Sequence, residues 1–105
     1  MNKKRPNVIK DKSFALRIVN LYKFLVEKKE FILSKQLLRS GTAVGALVRE
    51  AEHAESTADF IHKMSIAQKE ANETEYWIEL LFQLQYLEPN QYSSIIVDIQ
   101  ELNKI

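Results

Sequence analysis

The 105-residue sequence contains no cysteine. This removes disulfides, thiolate metal sites and cysteine nucleophiles together. It fits a reducing compartment, and a cytoplasmic location is expected. Two glycines and two prolines are too few to supply the turns of a sheet protein. No run reaches the ~18 uninterrupted apolar residues of a membrane span, so no membrane partner is expected. The start, Met1-Asn2-Lys3-Lys4-Arg5-Pro6, is charged like the beginning of a signal peptide. Val8-Ile9 is then cut off by Lys10-Asp11-Lys12, and no leader is expected. With 46% hydrophobic and 28% charged residues, the chain is ordered, and its length fits one domain.

Charge is divided along the chain. Residues 1–49 carry twelve Lys and Arg against three Asp and Glu, and residues 50–105 carry three against eleven. The near-neutral total therefore hides a basic half and an acidic half. Such a molecule can attract nucleic acid to one side or join neighbours head to tail.

Apolar spacing predicts four helices. Residues 1–12 read as a basic, frayed arm. Ser13 is placed to cap a first helix from Phe14 to Glu30, with stripes at Phe14, Ile18, Leu21, Leu25 and at Ala15, Val19, Tyr22, Val26. Ser34 is placed to cap a second helix that ends near His53. A third helix, about Thr57 to Tyr86, carries Phe60, Met64, Ala67, Ala71, Thr74, Ile78 and Leu81 at alternating spacings of four and three, a heptad seam. Pro89 suits the first turn of a fourth helix with its face at Tyr92, Ile95, Ile96, Ile99 and Leu102. Short links make this an all-α, antiparallel up-down-up-down four-helix bundle over residues 13–105.

Both glycines, Gly41 and Gly45, fall inside the second helix, four apart. Each costs about 1 kcal/mol relative to alanine there, which implies that another backbone comes close. The small middle of the seam, Ala67, Ala71 and Thr74, is the expected partner. From Tyr76 to Leu87, nine of twelve residues are apolar. A helix apolar nearly all round must be covered nearly all round. This segment is expected to project past the shorter helices, with Tyr76, Trp77, Leu80 and Leu84 in a contact between subunits.

Chemical motifs are weaker. Glu50-Ala51-Glu52-His53 and Asp59-Phe60-Ile61-His62 have the carboxylate-x-x-histidine spacing of di-iron bundles. Such a site also needs inward carboxylates from the other two helices, while Phe60 and Met64 take the inward positions here. No metal or other cofactor is expected. Ser40-Gly41-Thr42 and Gly45 lack the lysine and the strand of a phosphate loop, and no hydrolytic triad has the required turn. Lys69-Glu70-Ala71-Asn72-Glu73-Thr74-Glu75 reads as a solvated face or as a polar layer with Arg39 or Arg49 that would set register. Lys3, Lys4, Arg5, Arg17 and Lys23 are the candidate nucleic-acid contacts, without the interleaved exposed aromatics of a strong site.

The string Gln36-Leu37-Leu38-Arg39-Ser40-Gly41-Thr42, then Gly45-Ala46 and Glu50-Ala51, resembles the second helix of the bacterial four-helix-bundle proteins also called 23S rRNA-intervening sequence proteins. Asp59-Phe60-Ile61-His62-Lys63-Met64 and Lys69-Glu70-Ala71-Asn72-Glu73-Thr74-Glu75-Tyr76-Trp77 resemble their third helix. The resemblance implies a bundle that assembles as a ring, typically a homopentamer, with no enzymatic activity. It also implies kinship with the accessory variability protein of diversity-generating retroelements, which binds a reverse transcriptase and nucleic acid. Leu47 departs from the family pattern, standing where many members have asparagine. Two readings follow. The first is a non-enzymatic homo-oligomeric scaffold or nucleoprotein accessory factor. The second is a monomeric or dimeric helical domain with a small-molecule or metal site.

Overall fold

Four α-helices are present: α1 (Val8–Glu27), α2 (Leu33–Glu52), α3 (Thr57–Gln83) and α4 (Pro89–Leu102). The structure is a computed structural model that describes the backbone of residues 8–103 and side chains from residue 12 onward. Each helix lies antiparallel against the next in an all-α four-helix bundle, while α1 and α4 touch only sparsely. Ile18, Leu25, Leu37, Ile78, Leu81 and Ile99 are fully buried between them.

The boundaries follow local chemistry, not always as expected. No glycine or proline interrupts Val8 to Glu27, and the helix runs through Ser13, which is an exposed mid-helix residue and not a cap. Helix therefore already covers residues 8–12 of the expected arm; residues 1–7 lie outside the described ones. α1 stops with Lys29 in the left-handed region at φ 65. The Lys29 N–H donates to the Val26 carbonyl and the Glu30 N–H to that of Leu25, both at 2.9 Å. This is the Schellman closure, here without its usual glycine. α3 ends the same way. Gln85 sits at φ 69, the Gln85 N–H donates to the Phe82 carbonyl at 2.9 Å, and the Tyr86 N–H donates to that of Leu81 at 3.0 Å.

The start of α2 is capped by a residue outside the helix. The buried Glu30 carboxylate accepts from the N–H of Ser34 at 2.6 Å and of Leu33 at 3.0 Å. Ser34, expected to be the cap, instead turns its hydroxyl back onto the Glu30 carbonyl at 2.7 Å. A carboxylate there satisfies N–H groups that no helical carbonyl reaches and complements the positive helix end. Ser56 caps α3, accepting from the Asp59 N–H at 3.0 Å. Pro89 opens α4 within a reciprocal Glu88–Gln91 capping box.

Length sets the shape. α3 has 27 residues and α4 has 14, or roughly 40 and 21 Å at 1.5 Å per residue. The molecule measures 43 × 22 × 18 Å, so α3 alone defines its long axis. α4 begins at the C-terminal end of α3 and stops level with Gln68, whose side-chain amide donates to the Asn103 carbonyl at 3.1 Å. The expected overhang is therefore at the other end. α4 lies beside Tyr76–Leu87, whereas among the described residues Thr57–Ser65 runs on without a fourth helix beside it.

Candidate functional site

The α2–α3 seam is small and polar at its centre. Ala67, Ala71 and Thr74 are buried on α3, and Ser40 and Gly41 on α2. The fully buried hydroxyls of Ser40 and Thr74 lie 2.9 Å apart, and Thr74 Oγ1 is also 2.8 Å from the Glu70 carbonyl. Above this pair, Arg39 reaches across to Glu73 at 3.1 Å and to Glu70 at 3.8 Å. The polar layer is thus built with Arg39, and Arg49 remains exposed.

The glycines face elsewhere than expected. Ser40 points at α3, so Gly41, about 100° further round the helix, points at α1. A Cβ placed on Gly41 would sit 2.8 Å from Cγ2 and 2.9 Å from Cγ1 of Ile18. The close approach is between α2 and α1, and Gly45, half-buried one turn on, shares that side by its spacing of four.

The four residues expected between subunits divide. Tyr76 is 56% and Leu84 is 52% exposed, and Leu80 between them is half-buried. Trp77 packs instead against the core, with its ring edge-on to Tyr76 at 5.1 Å and its Nε1 buried without an acceptor. It supports the surface from beneath and is not itself an exposed anchor. Ile78, Leu81 and Leu87 are buried, and Phe82 stacks on Tyr92 of α4 at 4.1 Å. α4 therefore covers much of this segment and leaves a stripe at Tyr76, Leu80 and Leu84.

A second apolar feature lies beyond the end of α4. A groove of about 360 Å³ is walled by Val44 and Val48 of α2, by Phe60, Ile61 and Met64 of α3, and by Leu102 at the end of α4. Ile61 is 61% exposed. The seam residues Phe60 and Met64 gave the signal in the sequence. It becomes readable only when the fourth helix is counted as too short to reach them.

The charged candidates also separate. Lys3, Lys4 and Arg5 lie outside the described residues. Lys23 is exposed. Arg17 is taken by α4: it pairs with Asp98, and its second nitrogen donates to Ser94 Oγ at 2.7 Å. The two carboxylate-x-x-histidine elements meet a cation from the chain itself. Lys63 Nζ stands 3.5 Å from Asp59 and 3.9 Å from Glu50, while His53 and His62 are exposed. No cluster of three or more metal-binding side chains forms among the described residues. No helix among them is long and apolar enough to cross a membrane.

These features define an antiparallel helical bundle whose distinctive surfaces are apolar. The chain belongs to the 23S rRNA-intervening sequence protein family, whose profile matches residues 8–105. It is 62% identical to a protein of unknown function from the S23 ribosomal protein family of Bacteroides thetaiotaomicron VPI-5482, known from a crystal structure at 1.70 Å resolution. That similarity covers 92% of this chain and 91% of the other, with a TM-score of 0.91. Comparison with curated proteins gives no match.

Proposed function

We propose that this chain is a non-enzymatic homo-oligomer, a ring-forming helical bundle that serves as a scaffold or nucleoprotein accessory factor in the cytoplasm. The observation that carries the reading is the Tyr76–Leu80–Leu84 stripe, which the described residues leave partly uncovered, with Tyr76 and Leu84 more than half exposed. Contiguous apolar surface of this kind marks association sites on soluble domains. The division of charge between the halves of the chain supports a head-to-tail contact, and such contacts close into rings when the rotation permits. Five subunits is the number implied by resemblance to the family.

Nucleic acid or a reverse transcriptase is the partner class implied by the same resemblance. With Arg17 committed to Asp98, binding to phosphates rests on Lys3, Lys4, Arg5 and Lys23. It is weak and falls steeply as salt rises, because each phosphate contact releases counterions. The groove supports the alternative, a monomer or dimer with a small-molecule site, since its size lies in the range of small-ligand pockets. Light scattering on the purified protein separates the two. A pentamer gives five times the 12.3 kDa chain mass. A monomer at tens of micromolar overturns the oligomer, and a dimer retains the contact but removes the ring.

A further inference from the structure

The seam between α1 and α4 is the most sparsely packed in the bundle, and one ion pair divides it. Arg17 of α1 reaches across to Asp98 and Ser94 of α4. The spaces on either side of this strut differ in chemistry. The smaller, about 110 Å³, is lined by Ser13, Phe14, Asp98, Glu101 and Leu102. The larger, about 250 Å³, is lined by Arg17, Asn20, Leu21, Phe24, Gln91 and Ile95. The carboxylates thus fall on one side, and the guanidinium faces the other.

The larger space has an apolar floor. Ile95 is buried, and Leu21 and Phe24 are half-buried. Its rim offers donors that the fold has not used up. A guanidinium carries more N–H groups than the bonds to Asp98 and Ser94 require. The side-chain oxygen of Gln91 accepts from the Glu88 N–H at 2.8 Å, which leaves its NH2 group to donate. A second cation stands at the far end, where Lys28 Nζ lies 5.1 Å from the centre of the Phe24 ring. Among the described residues no carboxylate lines this space. Those in the adjoining turns are Glu27, which is exposed, and Glu88, which caps α4.

An apolar floor beneath cationic donors suits an anion with an apolar tail. The planar fork of Arg matches a carboxylate in particular. A volume below the ~300 Å³ lower bound of drug-sized sites keeps the occupant small. We infer that the space beside Arg17 binds a small monocarboxylate with a short apolar tail, its head on Arg17 and Gln91 and its tail on Leu21, Phe24 and Ile95. Asp98 is then a competitor for the same guanidinium. The inference is independent of how many copies assemble, and it concerns a different place from the groove at Phe60 and Met64.

Titration of the full chain, followed by amide NMR, tests it. Hexanoate is expected to shift the signals of residues 17–24 and 91–95 saturably. Hexanol, which has the tail without the charge, and acetate, which has the charge without the tail, should each bind roughly tenfold more weakly. Arg17 and Asp98 are each more than a third exposed, so both can be changed without opening the core. Arg17→Gln should remove the preference for hexanoate over hexanol. Asp98→Asn frees the guanidinium and should tighten hexanoate binding several-fold, whereas cutting a pair that merely braced the seam would weaken it. Equal binding of hexanoate and hexanol, or hexanoate affinity unchanged in Arg17→Gln, would overturn the inference. So would shifts centred on Phe60 and Met64, weaker binding by Asp98→Asn, or no saturable shift at all.

Discussion

α2 and α4 both bury one face in the same core, yet they are held by different means. α2 is gripped by contacts that accept one partner each: a buried carboxylate on its first N–H groups, a glycine against Ile18, and a hydroxyl against Thr74. α4 is held mainly by the apolar area of Ile95, Ile96, Ile99 and Leu102. Its tie to α1 is the Arg17 strut, with spaces of about 110 and 250 Å³ on either side. Apolar area tolerates adjustment, whereas a contact of the first kind is kept or lost. The bundle is specified on its α2 side and filled in on its α4 side.

The largest effect that would sharpen this contrast is expected from Glu30→Ala. It removes hydrogen bonds from a charged acceptor to the α2 N-terminus and leaves a buried Ser34 N–H unpaired. The expected cost is about 2–3 kcal/mol by denaturant titration. A loss below ~0.5 kcal/mol would show that the cap is dispensable and that α2 is held like α4. Next is Gly41→Ala. Helix propensity alone would favour alanine by about 1 kcal/mol. Ile18 is fully buried and stiff at χ1, so overpacking of about 1–3 kcal/mol should win and lower Tm.

A double-mutant cycle measures the hydroxyl pair. Ser40→Ala and Thr74→Val should each cost about 1 kcal/mol, and the double variant clearly less than their sum, since both polar partners are then gone. Strict additivity would mean the two hydroxyls do not interact. The smallest effect is expected on the α4 side. Arg17 and Asp98 are each more than a third exposed, so Arg17→Gln should cost less than ~1 kcal/mol. Amide exchange should still quicken in α4 before α2. Equal exchange in both helices would erase the comparison.

The same contrast explains what was legible in the sequence. Periodicity located all four helices, because buried stripes such as Ile95, Ile96, Ile99 and Leu102 recur at helical spacing. It also marked Ala67, Ala71 and Thr74 as the small centre of the seam. Periodicity does not say which neighbour a face meets. Gly41 was therefore assigned to α3, although Ser40 beside it already faces that helix and both residues cannot do so. Glu30 was read only as the last residue of the first helix, because its capping role depends on a left-handed Lys29 that no spacing encodes. Arg17 looked free because Asp98, its partner, lies 81 residues away. The apolar excess on α3 was legible, but its division into a stripe and a groove required the length of α4.

The two left-handed turn residues bear on the order of events in folding. Both glycines lie inside α2, while the closures after α1 and α3 fall to Lys29 and Gln85, where a side chain costs about 1–2 kcal/mol. Turns with this bias are expected to close after the helices they join have met. The nucleus is then expected in the α2–α3 seam. Relief of the turns by Lys29→Gly or Gln85→Gly should slow unfolding several-fold for ~1 kcal/mol gained and leave the refolding rate nearly unchanged. Stopped-flow kinetics reads both limbs, and faster refolding in either variant would place that turn among the first contacts to form.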